Sequence, residues 1–144
     1  MRNYGTNSAY AVMRILTMAN IVKRTISDKQ MRLVRDIAAA QQLTQDDVLR
    51  VVAEYEIDAA QSGESGPFFN ADRSLPQALV HGALDEIQGE SLQLQVSQIM
   101  HALLTLSGSP HKDEVLFVES AVGYWGIGES WRTWLLNQPT PVTT

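Results

Sequence analysis

Apolar residues recur at spacings of three and four along most of this chain, which is the pattern of an α-helix with one buried face. In the first such stretch, Val12, Ile15 and Ala19 share one stripe. The strict alternation of apolar and polar residues that marks a half-buried strand is nowhere long enough to build a sheet. The sequence therefore predicts an all-α fold.

Capping residues and chain breakers divide the chain into about seven predicted helices. A hydroxyl before a periodic segment can accept a hydrogen bond from the free N–H groups of a first helical turn. The predicted starts after the first helix include Ser27, Thr44, Ser74, Ser91 and Ser109. Helix two is predicted to end near residue 42 and helix four near residue 89. The residues predicted to face inward from helices two to seven are Met31, Val34, Ile37, Ala38, Val48, Val51, Val52, Tyr55, Leu75, Leu79, Ala83, Ile87, Leu92, Val96, Ile99, Leu103, Leu106, Val115, Val118, Ala121, Val122, Trp125, Trp131, Trp134 and Leu135.

The chain length fits one domain spanning residues 1–144, and the apolar pattern predicts an internal repeat within it. A shift of 84 residues places Val12 on Val96 and also aligns four further apolar pairs. Those pairs are Ile15 with Ile99, Val22 with Leu106, Val34 with Val118, and Leu43 with Ile127. Repeat one covers about 9–57 and repeat two about 91–136, separated by a linker at 61–73 that contains glycine, serine and proline. We expect two helical hairpins that pack their apolar stripes against each other in one bundle.

Composition excludes several classes of protein. The chain has no cysteine, which excludes disulfide scaffolds, thiolate metal sites and cysteine nucleophiles. With 44% hydrophobic and 19% charged residues it has the balance of a globular protein, and it contains no unbroken apolar run long enough for a membrane span. Its first residues lack the pattern of a signal peptide, so we expect a cytoplasmic protein.

The net charge of −5 is unevenly distributed. Residues 1–50 contain eight basic and four acidic residues, whereas the remainder contains three basic and twelve acidic residues. Such a division can mark an interaction surface, although basic residues spread along helices are often only solvated.

Two helix–helix corners, at 22–30 and 106–114, resemble those of the TerB-like (tellurite-resistance protein B) family. In that family a corner reads small or apolar residue, Asp, Gly, any residue, Ile or Val, Ser or Thr, two of any kind, and Glu. This chain has Val-Lys-Arg-Thr-Ile-Ser-Asp-Lys-Gln in the first corner and Leu-Ser-Gly-Ser-Pro-His-Lys-Asp-Glu in the second. The resemblance covers most of residues 9–136. It implies a bundle of two repeated hairpins and a bacterial role in stress or tellurite resistance.

The resemblance also implies a cation site at the acidic corner positions, and here this chain departs from the family. Lys23 and Ser107 replace the aspartates and Gln30 replaces one glutamate, so only Gly108 and Glu114 remain. A lysine adds positive charge and has no lone pair for a metal ion. We therefore expect cation binding to be weak or lost.

The best metal-ligand candidates in the sequence are His111, Asp113 and Glu114, in the first turn of helix six. The histidine and the glutamate lie three residues apart and hence on one face. In the alternative interpretation the acids complement the helix dipole and the histidine is solvated. His81 and His101 are interpreted as isolated, partly exposed side chains, and the pair Asp85–Glu86 as solvated, because sequence neighbours on a helix point in different directions.

Three basic residues of helix two, Lys29, Arg32 and Arg35, favour a nucleic-acid-binding hypothesis, with helices two and three as a helix-turn-helix. Helix three, however, begins with Asp46 and Asp47, whose carboxylates would repel phosphates, and this argues against DNA binding.

Trp131 and Trp134 near the C-terminus either pack in the core or anchor a protein partner, since aromatic residues are frequent at interaction hot spots. The linker residues Phe68 and Phe69 either cap the bundle or contact a partner. No nucleophile, phosphate-loop, zincin or dinucleotide motif is present, so we expect no enzymatic activity and no cofactor.

The sequence and its resemblance together predict a non-enzymatic, TerB-like protein that acts by binding a protein partner or a second copy of itself. The alternative is a helical regulator that binds nucleic acid or a small molecule through the basic residues of helix two. A structural homodimer held by the tryptophans is a third interpretation.

Overall fold

Seven α-helices follow one another, without a strand, in the part of the chain that the computed structural model describes, residues 3–22, 28–61, 77–106 and 112–138. In chain order they are α1 (Ala9–Val22), α2 (Asp28–Ala40), α3 (Gln45–Gln61), α4 (Gln77–Asp85), α5 (Glu90–Thr105), α6 (Lys112–Trp125) and α7 (Gly128–Leu136). Their buried apolar side chains form one continuous core. The prediction of an all-α domain of about seven helices is confirmed.

α1 is the central helix of the bundle. Every side chain from Ala11 to Ala19 is buried, because α2, α3, α4, α5 and α6 all pack against this helix. A helix covered on all sides is apolar around its whole circumference rather than along one stripe. The predicted single stripe on α1 is therefore correct but incomplete, and it omits the buried polar residues Arg14 and Thr17.

The predicted start of α3 is confirmed by a reciprocal pair of hydrogen bonds. The backbone N–H of Asp47 donates to Thr44 Oγ1 at 3.1 Å, and the backbone N–H of Thr44 donates to Asp47 Oδ2 at 2.8 Å. This capping box satisfies an N–H group of the first turn that no helical carbonyl can reach.

The start of α5 differs from the prediction. Ser91 lies within the first turn, and the helix begins at Glu90 after Gly89, whose φ of 93° lies in the left-handed region. Glycine adopts this region without a steric penalty, so here the backbone, rather than a serine hydroxyl, determines the boundary.

The turns that end α2 and α6 have the same hydrogen-bond pattern. The N–H of Leu43 donates to the carbonyl of Ala38 at 2.8 Å, and the N–H of Ile127 donates to that of Val122 at 3.2 Å. In each turn the preceding residue is left-handed, with φ of 65° at Gln42 and 71° at Gly126. Both turns are Schellman motifs. The donor, the acceptor and the left-handed residue of the second turn each lie 84 residues after their counterparts in the first.

Most predicted inward-facing residues are buried, but the predictions for Met31, Val115 and Leu135 are wrong, since they are 39%, 36% and 37% exposed. On α2 and α6 the residue before the exposed apolar one occupies the interior instead, Gln30 and Glu114 respectively. Each polar residue starts a buried row at spacings of four, which continues as Val34 and Ala38 on α2 and as Val118 and Val122 on α6.

Several predictions lie outside the described residues. These are the linker at 61–73 apart from Gln61, which ends α3, the caps at Ser27, Ser74 and Ser109, the inward position of Leu75, the phenylalanines Phe68 and Phe69, and the middle of both TerB-like corners.

Candidate functional site

An apolar pocket of about 90 Å³ opens between α5, α6 and α7. It is named the tryptophan pocket here, and its lining residues are His101 and Leu104 of α5, Val115, Val118 and Glu119 of α6, and Trp131 and Leu135 of α7. On α6, Val118 and Glu119 lie three and four residues after Val115, and on α7 Leu135 lies four residues after Trp131, since a helix repeats its face at those spacings. The pocket is therefore formed by one face of each of three packed helices.

Aromatic rings form one wall of the tryptophan pocket. The rings of Trp131 and Trp134 stack with centroids 5.0 Å apart. The His101 ring meets both edge-on, at 5.7 Å from Trp131 and 5.4 Å from Trp134. Edge-to-face and stacked contacts are preferred arrangements of aromatic rings, so Trp134 supports the two rings that line the pocket, His101 and Trp131. The two predicted partner-binding tryptophans thus lie together, Trp131 buried and Trp134 half-buried.

The titratable side chains that line the tryptophan pocket are His101 and Glu119. Burial lowers the pKa of the His101 imidazole below its ordinary value of 6.5, because a low-dielectric environment disfavours the charged ring. At neutral pH the ring is uncharged, and the exposed carboxylate of Glu119 gives the pocket a negative edge.

Exposed apolar side chains flank the pocket residues along the sequence. Leu116 follows Val115 on α6 and is 50% exposed, while Leu136 follows Leu135 on α7 and is 81% exposed. Scattered apolar residues are normal on a protein surface, so these two leucines show only that the helices lining the pocket also carry exposed apolar side chains. Trp131 and Trp134 were named from the sequence as partner-binding candidates, whereas Val115 and Glu119 were not. Their signal was an apolar and an acidic residue at the i, i+4 spacing of one helix face.

The three basic residues predicted to bind a partner are solvent-exposed on α2. Lys29, Arg32 and Arg35 share that helix with Asp28 and Asp36, which are also exposed. α2 packs against α1 and α3, whereas α7 packs against α5 and α6. The two groups of predicted partner-binding residues therefore belong to different parts of the bundle.

The predicted metal ligands fall largely outside the described part of the chain. His111 and the side chain of Asp113 lie outside the described residues, and Glu114 is buried at the start of the inward row of α6. The described side chains include no group of three or more acids or histidines placed to hold a metal ion. The prediction that cation binding is weak or lost stays a prediction.

The interpretation of Asp85 and Glu86 as a solvated pair is wrong for one member. Asp85 is exposed and accepts a hydrogen bond from the Tyr124 hydroxyl at 2.7 Å, whereas Glu86 is only 8% exposed and forms an ion pair with Arg14. The two side chains do point in different directions, as expected for sequence neighbours, but one direction leads into the bundle. His81, interpreted as isolated, stacks on the Tyr124 ring at 4.4 Å.

Comparison with known proteins returns no relative: no family model, no curated protein and no solved structure matches this chain. None of the described helices has the length and apolar content needed to cross a membrane. The tryptophan pocket offers an apolar space with aromatic rings on one side and one acidic edge, which is suited to binding.

Proposed function

We propose that this protein is a non-enzymatic interaction module that binds a protein through the tryptophan pocket. The observation that carries the proposal is the size of the pocket. At about 90 Å³ it is well below the roughly 300–1,000 Å³ typical of small-molecule and cofactor sites. A space of that volume suits one apolar side chain, and such a side chain reaches the pocket as part of a protein ligand.

The surroundings of the pocket support the same proposal. Trp131 and Trp134 already pack against each other and against His101, and Trp is among the residues most enriched at hot spots. Leu116 and Leu136 supply further apolar surface for contact. The negative edge at Glu119 favours a ligand with a basic residue about one helical turn from its apolar anchor.

A TerB-like kinship remains part of the proposal. It is supported by the matching Schellman turns after α2 and α6 and by the matching buried positions of Gln30 and Glu114, all offset by 84 residues. These coincidences are expected of two diverged copies of one hairpin. A role in stress or tellurite resistance, with cation binding weak or lost, would follow from that kinship.

Site-specific photo-crosslinking in cells that produce the protein tests the proposed function. A photoreactive amino acid is placed at Leu136, which is 81% exposed and follows the pocket residue Leu135 in the sequence, and in a control protein at Leu49 of α3, which is 57% exposed. We expect discrete crosslinked protein from the α7 position and little from the α3 position. The crosslink should disappear when Val115→Asp or Glu119→Lys alters the pocket, and a thermal unfolding curve of each variant checks that these substitutions at exposed positions leave the fold intact. Equal crosslinking from both positions, or no response to either substitution, would contradict the proposal.

A further inference from the structure

Exposed faces of α2 and α6 carry complementary residues in the same order. Both faces have residues at positions i, i+3, i+4 and i+7 and so extend along one side of a helix for two turns. On α2 they are Asp28, Met31, Arg32 and Arg35, and on α6 they are Lys112, Val115, Leu116 and Glu119; all eight are exposed.

Charges of opposite sign occupy matching ends of the two faces. Asp28 corresponds to Lys112 and Arg35 to Glu119, while apolar Met31 corresponds to Val115. In each helix about 10 Å separates the two charged positions, given a rise of 1.5 Å per residue. If an α2 lies parallel to an α6 in this register, the two ion pairs form at the ends and Met31 meets Val115 between them. The remaining pair sets the aliphatic stem of Arg32 against Leu116, with the guanidinium free to reach solvent.

The α6 face includes the edge of the tryptophan pocket, since Val115 and Glu119 line it. Met31 is unbranched and flexible, which allows it to fill small irregular apolar spaces. Arg35 lies one turn further along the same face, as Glu119 lies one turn beyond Val115. This is the combination of apolar anchor and basic residue that the pocket favours.

We infer that α2 of one copy of this chain docks in parallel on α6 of a second copy, with Met31 entering the tryptophan pocket and Arg35 pairing with Glu119. The inference rests on the proposed function, for which it names the protein ligand. Within one chain α2 packs on α1 and α3 and α6 packs on α1, α4, α5 and α7, so both faces are available to a second molecule. The contact closes as a reciprocal dimer or extends head to tail, because its two halves are different surfaces.

A small contact of two helical turns predicts weak association, with a dissociation constant of roughly 0.01–1 mM. Sedimentation velocity of the full chain from ~0.01 to ~1 mM covers this range. We expect the average molecular mass to rise with protein concentration. It should fall as salt is added, because the ion pairs at the two ends of the contact are solvent-exposed and salt screens them.

Charge reversal at the Arg35–Glu119 pair tests the geometry. Arg35→Glu and Glu119→Lys should each weaken association about tenfold or more, since each places like charges opposite one another. The chain carrying both substitutions should recover most of the affinity. A mixture of the two single variants should associate as the unmodified chain does, because each α2–α6 contact between unlike variants again joins opposite charges. Glu56→Lys, an equal charge change at an exposed site on α3, should leave association unchanged.

A chain that stays monomeric up to ~1 mM would overturn the self-pairing. The crosslink from Leu136 would then report separately on whether the pocket binds another protein, so failure of this inference is distinguishable from failure of the proposed function. Two further results would overturn the self-pairing, because a different surface would then be responsible. One is association that neither charge reversal weakens, and the other is a mixture of the two variants that does not recover the association of the unmodified chain.

Discussion

Arg14 of α1 and Glu86, just after α4, form an ion pair whose side chains are 2% and 9% exposed. The second carboxylate oxygen of Glu86 accepts hydrogen bonds from the backbone N–H groups of Tyr4 at 2.6 Å and Gly5 at 3.2 Å. The Tyr4 ring covers the guanidinium, with the Arg14 Cζ 4.7 Å from the ring centroid. The residues preceding α1 thus complete the environment of a buried charge pair that joins α1 to the end of α4.

Removing one partner of this pair should be much more costly than removing both. We expect Glu86→Ala to lower the free energy of unfolding by about 3–5 kcal/mol, because the buried guanidinium of Arg14 loses the carboxylate it is paired with. The double variant Arg14→Met, Glu86→Leu should recover part of that loss, since an apolar pair of similar volume needs no charge compensation, although the N–H groups of Tyr4 and Gly5 still lose their acceptor. Urea unfolding followed by tryptophan fluorescence measures all three proteins. If Glu86→Ala lowered the free energy of unfolding by less than about 1 kcal/mol, the two side chains would not depend on each other as a buried pair does.

The two glycines Gly89 and Gly123 should respond to alanine with opposite signs. Neither position has an atom within 4 Å of an added Cβ, so backbone conformation decides the outcome. At Gly89 the φ of 93° strains any residue with a Cβ, and we expect a loss of about 1–2 kcal/mol. At Gly123, inside α6, alanine should stabilise by about 0.5–1 kcal/mol through its higher helix propensity. Thermal unfolding of both variants measures this, and a shift of the same sign in both would contradict the backbone argument.

Periodicity alone predicted the class of fold and most of the core, because each helix must bury an apolar stripe wherever it packs. It could not predict which helix is central. A predicted stripe does not reveal how many neighbours surround a helix, so the complete burial of α1, including Arg14, required the packed structure. The partner of Arg14 was equally inaccessible, since Glu86 lies 72 residues away in sequence and carries no local signal.

The candidate site was predictable only in part. Trp131 and Trp134 were named together from the sequence, and residues three positions apart lie on one face of a helix. Val115 was missed because an apolar residue at helical spacing was assumed to face inward, and Glu119 was missed because the sequence does not show which helix faces enclose a pocket. The buried Glu114 takes that inward place on α6 and turns Val115 towards solvent by about 100°, the rotation per residue of a helix.

The basic residues of α2 should not make this protein a DNA-binding protein. Exposed Asp28 and Asp36 lie on the same helix, and Asp46 and Asp47 begin α3, where a helix-turn-helix protein would approach phosphates. We expect no binding of random-sequence duplex DNA in fluorescence anisotropy at low salt. Salt-dependent binding that is lost on Arg32→Gln would instead favour the alternative of a nucleic-acid-binding regulator.

Cation binding should be weak or absent in the chelator-treated protein. We expect calorimetric titration with Ca²⁺ or Zn²⁺ to give no saturable heat, because Lys23, Ser107 and Gln30 replace three acids of the TerB-like corners. Glu114→Gln is the appropriate comparison, since it keeps the size of a buried side chain. Saturable binding that this substitution abolishes would show that the second corner retains a site.

His101 should make stability depend on pH in the range just below neutral. Burial lowers the pKa of the folded-state imidazole, whereas in the unfolded chain it titrates near its ordinary value of 6.5. As the pH falls through about 6.5, the unfolded state therefore takes up a proton that the folded state does not, and the free energy of unfolding decreases until the folded-state pKa is passed. Above about pH 7.5 the His101 ring is neutral in both states and this contribution is constant.

His101→Gln should flatten the dependence of the free energy of unfolding on pH between about 7.5 and 5.5, as measured by urea unfolding at each pH, while contributions from carboxylates remain in both proteins. An NMR titration in which the His101 ring takes up its proton at or above 6.5 would contradict this assignment, because burial would then not be the dominant influence on the pKa of the ring.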